Sequence, residues 1–344
     1  MKLVHYFALL CAVVLVLSAC GNDSAKTNAN AAGENRTLSI KLAHVTNDQS
    51  AIHKGSIKFK ELVEKESNGK MKVEVIPGGQ LGSEKDLVES TKLGTVDITI
   101  PSAAVLSNFV PKVAVLTLPY VIKGSNEAEK YESLKKLSGS EVFKEIEKDT
   151  DAVGLKLFPE AVWWVGDRHV TTKDKPIKTL ADLKGVKIRT PDAAAHTEPF
   201  KVLGANVTAM NITEVYYSLK TGALEAQENS INQIYTNKFH EVQKYVNLTG
   251  HMTQNELPVL NKQWWDGLSK DQQSIIEKAM FDAGVYMSDL QLKQNEEELK
   301  ILQDNGMEVV ETNLEEFKEV TKDLYKSFGN AIDEDFYNKI AESQ

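Results

Sequence analysis

Thiol chemistry is almost absent from this sequence. Of its 344 residues only Cys11 and Cys20 are cysteines. Everything after residue 20 therefore lacks disulfides, thiolate metal ligands and a cysteine nucleophile. Positive charge is also in the minority: 40 Lys and Arg face 49 Asp and Glu, a formal net charge of −9. No Lys/Arg cluster stands out. Nucleic-acid binding, which needs a basic face, is excluded on that ground, and a phosphate receptor is disfavoured. Catalytic spacings are missing too. The histidines are His5, His44, His53, His169, His196, His240 and His251. None pairs with another at a spacing of three to five, so no helical metal site is expected. There is no Gly-x-Ser-x-Gly elbow and no Gly-x-x-x-x-Gly-Lys-Ser/Thr phosphate loop. Acidic residues are so numerous that an acid/base pair among them would carry little information.

What is present starts at the N-terminus. Lys2 precedes an apolar run from Phe7 to Leu17, too short to span a bilayer and arranged like an export signal. "LSAC" (Leu17 to Cys20) follows, and a cysteine directly after Leu-Ser-Ala resembles the bacterial lipoprotein signal. On that reading residues 1–19 are a signal peptide and Cys20 is lipidated. An ordinary signal peptide with an incidental cysteine is the alternative. Residues 20–36 are polar, rich in Ala and Asn and without hydrophobic periodicity, as a flexible tether is. The expected location is extracytoplasmic, anchored to the cell membrane by the lipid on Cys20.

From Thr37 the pattern alternates strand and helix. "TLSIKLAHV" reads as a strand, and the segment from Ser50 to Gly69 as a helix stopped by Gly69. "MKVEVIP" is a second strand, "GSEKDLVESTKLGTV" gives a helix, and "DITIP" (Asp97 to Pro101) is a third strand. The pattern restarts with "AVGLKLFPEAVWWVGDRHVTT" and "GVKIRTP", helices at about 192–203 and 213–223, and the strand-like "ALEAQEN". Thr190 and Pro191 have the form of an N-cap and first helical residue, and Pro199 is expected to break or kink the helix. Ser269 to Gly306 is one uninterrupted helical pattern, which at ~1.5 Å per residue would reach ~50 Å. These features predict an α/β protein of two lobes with the long helix packed across both. Arg189 falls at the carboxyl end of a strand, where open α/β sheets bind ligands.

Several stretches together resemble the extracytoplasmic solute-binding subunits of tripartite ATP-independent periplasmic (TRAP) transporters. They are "GKMKVEVIPGGQLGSEKDL" (69–87), "LTLPYVI" (116–122) and "GDRHVTTKDKPIKTLADLKGVKIRTP" (166–191). Further along come "LGANVTAMNITEVYYSLKTGALEAQENSIN" (203–232), "KFHEVQKYVNLTGH" (238–251) and "WWDGLSKDQQSIIEKA" (264–279). The likeness runs in order through nearly the whole chain after the tether. The family usually has a proline near Thr208, a glycine at Ala226 and a proline at Ser230, so local turns differ. The resemblance implies a two-lobed periplasmic-binding-protein-like fold with crossing hinge strands, closing on a ligand in a cleft. Lobe 1 would be 37–165 plus 255–294, and lobe 2 would be 166–254 plus 295–344.

The resemblance also implies site residues. Arg189, in "KIRTP", would hold the ligand carboxylate, for which a planar, permanently charged guanidinium is suited. Arg168 and Asn229 match a second arginine and an asparagine that reach the same ligand. Ser102 follows the third strand, where a ligand contact or a plain helix cap is expected. Trp163 and Trp164 alternate on a strand, so one of them would stack on a sugar ring or both would serve the core. His53 and Lys54 would sit near the cleft edge. The expected function is a receptor that binds a small carboxylate, a uronate or other sugar acid first and a C4-dicarboxylate second, and delivers it to TRAP membrane subunits. It would be a monomer with no cofactor. The rival is an exported lyase or hydrolase acting on sugar acids.

Overall fold

The computed structural model describes residues 37–158 and 160–344; the signal segment, Cys20 and the tether lie outside them. Two sheets organise the described chain. The first has the order β2-β1-β3-β10-β4 and is built from β1 (Leu38–Ala43), β2 (Met71–Ile76), β3 (Ile98–Thr99), β4 (Leu155–Leu157) and β10 (Val259–Asn261). β1 pairs parallel with β2 and β3, whereas β10 runs antiparallel to β3 and β4. The second has the order β11-β9-β5-β8-β6-β7. Its members are β5 (Trp163–Thr172), β6 (Lys187–Thr190), β7 (Asn206–Ala209), β8 (Ala226–Ser230), β9 (Tyr245–Glu256) and β11 (Glu308–Glu311).

The chain passes between the sheets three times, from β4 into β5, from β9 into β10, and from β10 through a long helix to β11. β5 and β9 pair antiparallel along most of their length, with a register shift between Trp164 and Gly166. Gly166 has φ of +127°, a conformation that only glycine adopts readily, so the crossing strand can turn there. These are the crossing strands expected of the fold.

The helix Lys270–Asp304 begins with a reciprocal cap between Ser269 and Gln272. Its first half buries Met280 and Met287 with Ile40 and Leu42 of the first sheet and Phe59 of the helix Ala51–Glu66. Its far end sends Leu302 into a separate core with Ile234, Phe239 and Val246. Between them the buried positions are polar: Gln291, Asn295 and Glu298. Asn232 Nδ2 donates to Glu298 Oε1 at 2.7 Å, and Asn295 Nδ2 to Glu127 Oε2 at 2.5 Å. A single helix therefore serves both sheets, apolar where it meets a core and hydrogen-bonded where it crosses.

Three expectations need correction. Thr190 does not cap a helix: its carbonyl accepts from Met210 N at 3.0 Å, extending the sheet edge, and the helix starts later, at Ala194. That helix (Ala194–Val202) runs through Pro199 without ending, because Phe200 and Leu203 anchor it to the core of Val170 and Ile188. The chain after residue 294 does not all join the second sheet. Leu324, Tyr325, Ile332, Phe336 and Ile340 pack with Phe143, Ile146, Leu155 and Leu157, the core beside β4.

Candidate functional site

A cavity of about 360 Å³ opens between the two sheets. Arg189, Arg168, Asn229 and Ser102 all line it, as do Gln233, Gln254, Glu84 and Glu256, which sequence reasoning had not singled out. The volume is in the range of small-molecule sites.

Arg189 is delivered by β6, which pairs parallel with β7 and β8. It is 2% exposed. Its Nε and Nη2 donate to the Met210 carbonyl at 2.9 and 2.6 Å, but the buried Nη1 has no hydrogen-bond partner. Burial lowers its pKa to about 10, opposed by the field of Glu228, so it stays charged at neutral pH. Gln233, on the helix Ile231–Thr236 that follows β8, repeats the pattern. Its Oε1 accepts from Asn237 Nδ2 at 3.1 Å, and its buried Nε2 is unpartnered. Two unused donors thus belong to side chains that line one cavity. A buried donor without an acceptor costs free energy, and a ligand oxygen would recover it.

Arg168, on β5, is occupied differently. Its Nε donates to Glu228 Oε2 at 2.5 Å and its Nη2 to Glu228 Oε1 at 2.9 Å and to the Glu228 carbonyl at 2.8 Å. The remaining Nη1 donates to Gln254 Oε1 at 2.7 Å. Burial would raise the Glu228 carboxyl, but the charge of Arg168, the field of His196 and the hydrogen bonds from His251 and Arg168 together outweigh it and hold Glu228 well below the usual range. His251 Nε2 lies 3.2 Å from Glu228 Oε2. His196 is lowered to about 3 by burial and lies 3.5 Å from Glu228 Oε1. Arg168 is therefore neutralised from within the protein, and Arg189 is not.

Asn229 lines the cavity from β8, its Oδ1 accepting from Ser230 N at 3.2 Å. Ser102 makes the helix cap expected of it and lines the cavity. Its Oγ accepts from Val105 N at 3.3 Å, capping a short helix, and donates to Glu84 Oε1 at 2.7 Å. Glu84 opens the helix Glu84–Leu93, and Glu256 ends β9, where it bridges to Ser102. The cavity rim is joined from both sides. Asn108 Nδ2 donates to the Asp192 carbonyl at 2.8 Å and Asn47 Nδ2 to the Thr236 carbonyl at 3.1 Å.

The tryptophans and the histidine–lysine pair are elsewhere. Trp163 and Trp164 point to opposite faces of β5 as alternation requires, but both are fully buried and neither lines the cavity. Trp163 packs with Phe59, Met280 and Met287, its Nε1 3.3 Å from the Met280 carbonyl. Trp164 packs with Tyr131 and Leu134. Helices cover β5 on both sides here, so neither indole is free for a ligand. His53 and Lys54 line a shallow surface depression with Ile57, Lys58, Glu61 and Tyr286. His53 Nδ1 lies 3.2 Å from Nε2 of the buried His44.

Residues 42–331 match the family of bacterial extracellular solute-binding proteins, family 7 (DctP). A solute-binding protein of Roseobacter denitrificans is 33% identical over 86% of this chain and 88% of its own. Its crystal structure, of a TRAP periplasmic solute-binding protein with bound L-galactonate, matches with a TM-score of 0.81, covering 90% of this chain and 99% of that one. The sugar acid binding protein of Advenella mimigardefordensis, solved with galactonate, gives a TM-score of 0.83 at 28% identity, over 90% of this chain and 98% of that one. The C4-dicarboxylate-binding periplasmic protein of Rhodobacter capsulatus is 32% identical over 78% of each chain. With its two sheets, crossing strands, spanning helix and buried arginine, the chain belongs to the family 7 bacterial extracellular solute-binding proteins, receptors of the TRAP type and not enzymes.

Proposed function

We propose that this receptor binds a sugar acid, with Arg189 taking its carboxylate. The unpartnered Nη1 of Arg189 in the cavity carries this reading. A carboxylate supplies the missing acceptor and the missing charge together. Gln233 Nε2 and the Asn229 amide add donors to the same oxygens, while Arg168, fixed by Glu228, presents an edge to the ligand. The polar lining beyond them suits a hydroxylated carbon chain. Relatives solved with galactonate support an aldonate or uronate over a C4-dicarboxylate.

Capture proceeds by closure of two lobes, residues 37–165 with 255–294 and 166–254 with 295–323, the tail from Leu324 returning to the first. The rim contacts of Asn108 and Asn47 belong to the closed form. A lipid on Cys20 tethers the monomer outside the cytoplasm, residues 1–19 having been removed, and the loaded form hands its ligand to TRAP membrane subunits. Thermal shift over galactonate, galacturonate, erythronate and malate tests the ligand class. A true ligand at 100 times its dissociation constant stabilises by about 2.7 kcal/mol. Stabilisation by malate alone would overturn the sugar-acid reading.

A further inference from the structure

The cavity holds more acidic side chains than a carboxylate ligand calls for. Its lining contributes the basic residues Lys85, Arg168 and Arg189 and the acidic residues Glu84, Asp192, Glu214 and Glu256. Lys85 is exposed, and Arg168 is already paired with Glu228. Arg189 is left as the one buried guanidinium of the lining without a carboxylate partner within salt-bridge distance, among the described residues. Glu84 as a residue is half-buried, but its carboxyl turns inward onto Ser102 N and Oγ. Glu256 is 3% exposed and accepts from Gln254 Nε2 at 2.7 Å. Ser102 ties the two together, through its hydroxyl to Glu84 and through its bridge to Glu256.

We propose that Glu84 and Glu256 form a carboxyl pair that reads the hydroxyl-bearing part of the ligand and rejects a second carboxylate there. The cavity then selects polyhydroxy monoacids and refuses the matching diacids. This inference rests on the reading of Arg189 as the carboxylate seat. One ligand carboxylate satisfies Arg189. A second finds no free buried cation and would be desolvated unpaired beside two carboxyls, a cost that specific sites use to exclude wrong partners. A ligand hydroxyl meets no such penalty, because it can donate to a carboxylate or accept from a protonated one. Burial raises the Glu84 carboxyl, and burial together with the charge of Glu84 raises Glu256 well above its ordinary value, so these surroundings disfavour negative charge before any ligand arrives.

The test uses galactonate and galactarate, which share a carbon chain and differ in whether the terminal carbon is CH2OH or carboxylate. Calorimetric titration of the wild-type protein at pH 7.5 should show galactonate binding at least about 100-fold more tightly. In the doubly substituted Glu84→Gln, Glu256→Gln protein the preference should fall below about 10-fold through tighter galactarate binding, with circular dichroism confirming the fold. Equal binding of both acids by the wild-type protein would overturn the carboxyl-pair proposal and leave the sugar-acid reading standing. An unchanged preference in the double variant would likewise remove these two glutamates from the role. Binding of diacids with no response to galactonate, galacturonate or erythronate, or of no acid at all, would overturn both readings.

Discussion

Glu256 is a group whose placement costs stability in the empty protein, and the sign of that cost can be measured. Burial raises its pKa above the ordinary 4.5, with the charge of Glu84 adding to the rise. Below pH 4.5 the carboxyl is protonated folded and unfolded alike, so no penalty exists. Above it the unfolded chain releases the proton while the folded chain keeps it, and stability falls as pH rises toward the folded pKa. Glu256→Gln removes the titration. The unliganded variant should be more stable than wild type at pH 7.5, by a margin growing at up to about 1.4 kcal/mol per pH unit above 4.5, and no more stable at pH 4. Urea unfolding at the two pH values checks it; equal stability at pH 7.5 would mean that the carboxyl is solvated. At this scale legibility was uneven. Arg189, Arg168 and Asn229 stood in stretches that resemble a family, Ser102 followed a legible strand, and each lines the cavity. Glu84, Glu256 and Gln233 did not stand out, because 49 acidic residues and many amides give no local sign of which ones the fold will gather.

Among the elements, the helices and strands with clear periodicity were legible, and the long helix most of all. Its expected span of Ser269 to Gly306 differs from the observed Lys270–Asp304 only at its ends. Where tertiary pairing overrode local signals, the reading went astray. Thr190-Pro191 has the form of a helix start, yet the sheet edge claims Thr190. The two tryptophans looked available for a sugar because nothing in one strand shows what will cover it. Helix packing explains what does: a Cβ on Gly284 would stand 2.5 Å from Trp163 Cδ1, and one on Gly55 2.8 Å from Trp163 Cζ3. Both helices come close to the indole at a glycine. Gly284→Ala would ordinarily add about 1 kcal/mol of helix propensity. Here the methyl meets a ring held from both sides, and overpacking of about 1–3 kcal/mol should dominate, lowering the melting temperature. A stabilised Gly284→Ala protein would show that the helix shifts freely over Trp163.

For the whole molecule, the division into lobes and the tether make separate predictions. If the contacts of Asn108 with Asp192 and Asn47 with Thr236 form on closure, small-angle scattering should give a smaller radius of gyration with saturating sugar acid than without. An identical radius in both conditions would contradict closure by ligand. Cys20→Ser should release the protein from the membrane fraction with its fold unchanged, since stable anchoring takes more than one acyl chain and all of them depend on that cysteine. Complete retention with membranes would refute lipidation there.

The central claim is that Arg189 holds the ligand's carboxylate, and titration of galactonate into wild-type protein, Arg189→Ala and Arg189→Lys tests it directly. Removing the guanidinium strands a carboxylate in a closed cavity, so Arg189→Ala should lose about 2–5 kcal/mol, roughly 30-fold to several thousand-fold in affinity. Arg189→Lys keeps the charge without the planar fork and should recover part of the loss. The unliganded melting temperature should change little, because the side chain's hydrogen bonds are to a single carbonyl, that of Met210. Normal galactonate binding by Arg189→Ala, or an unliganded variant that no longer folds, would contradict the claim and make Arg189 a structural residue.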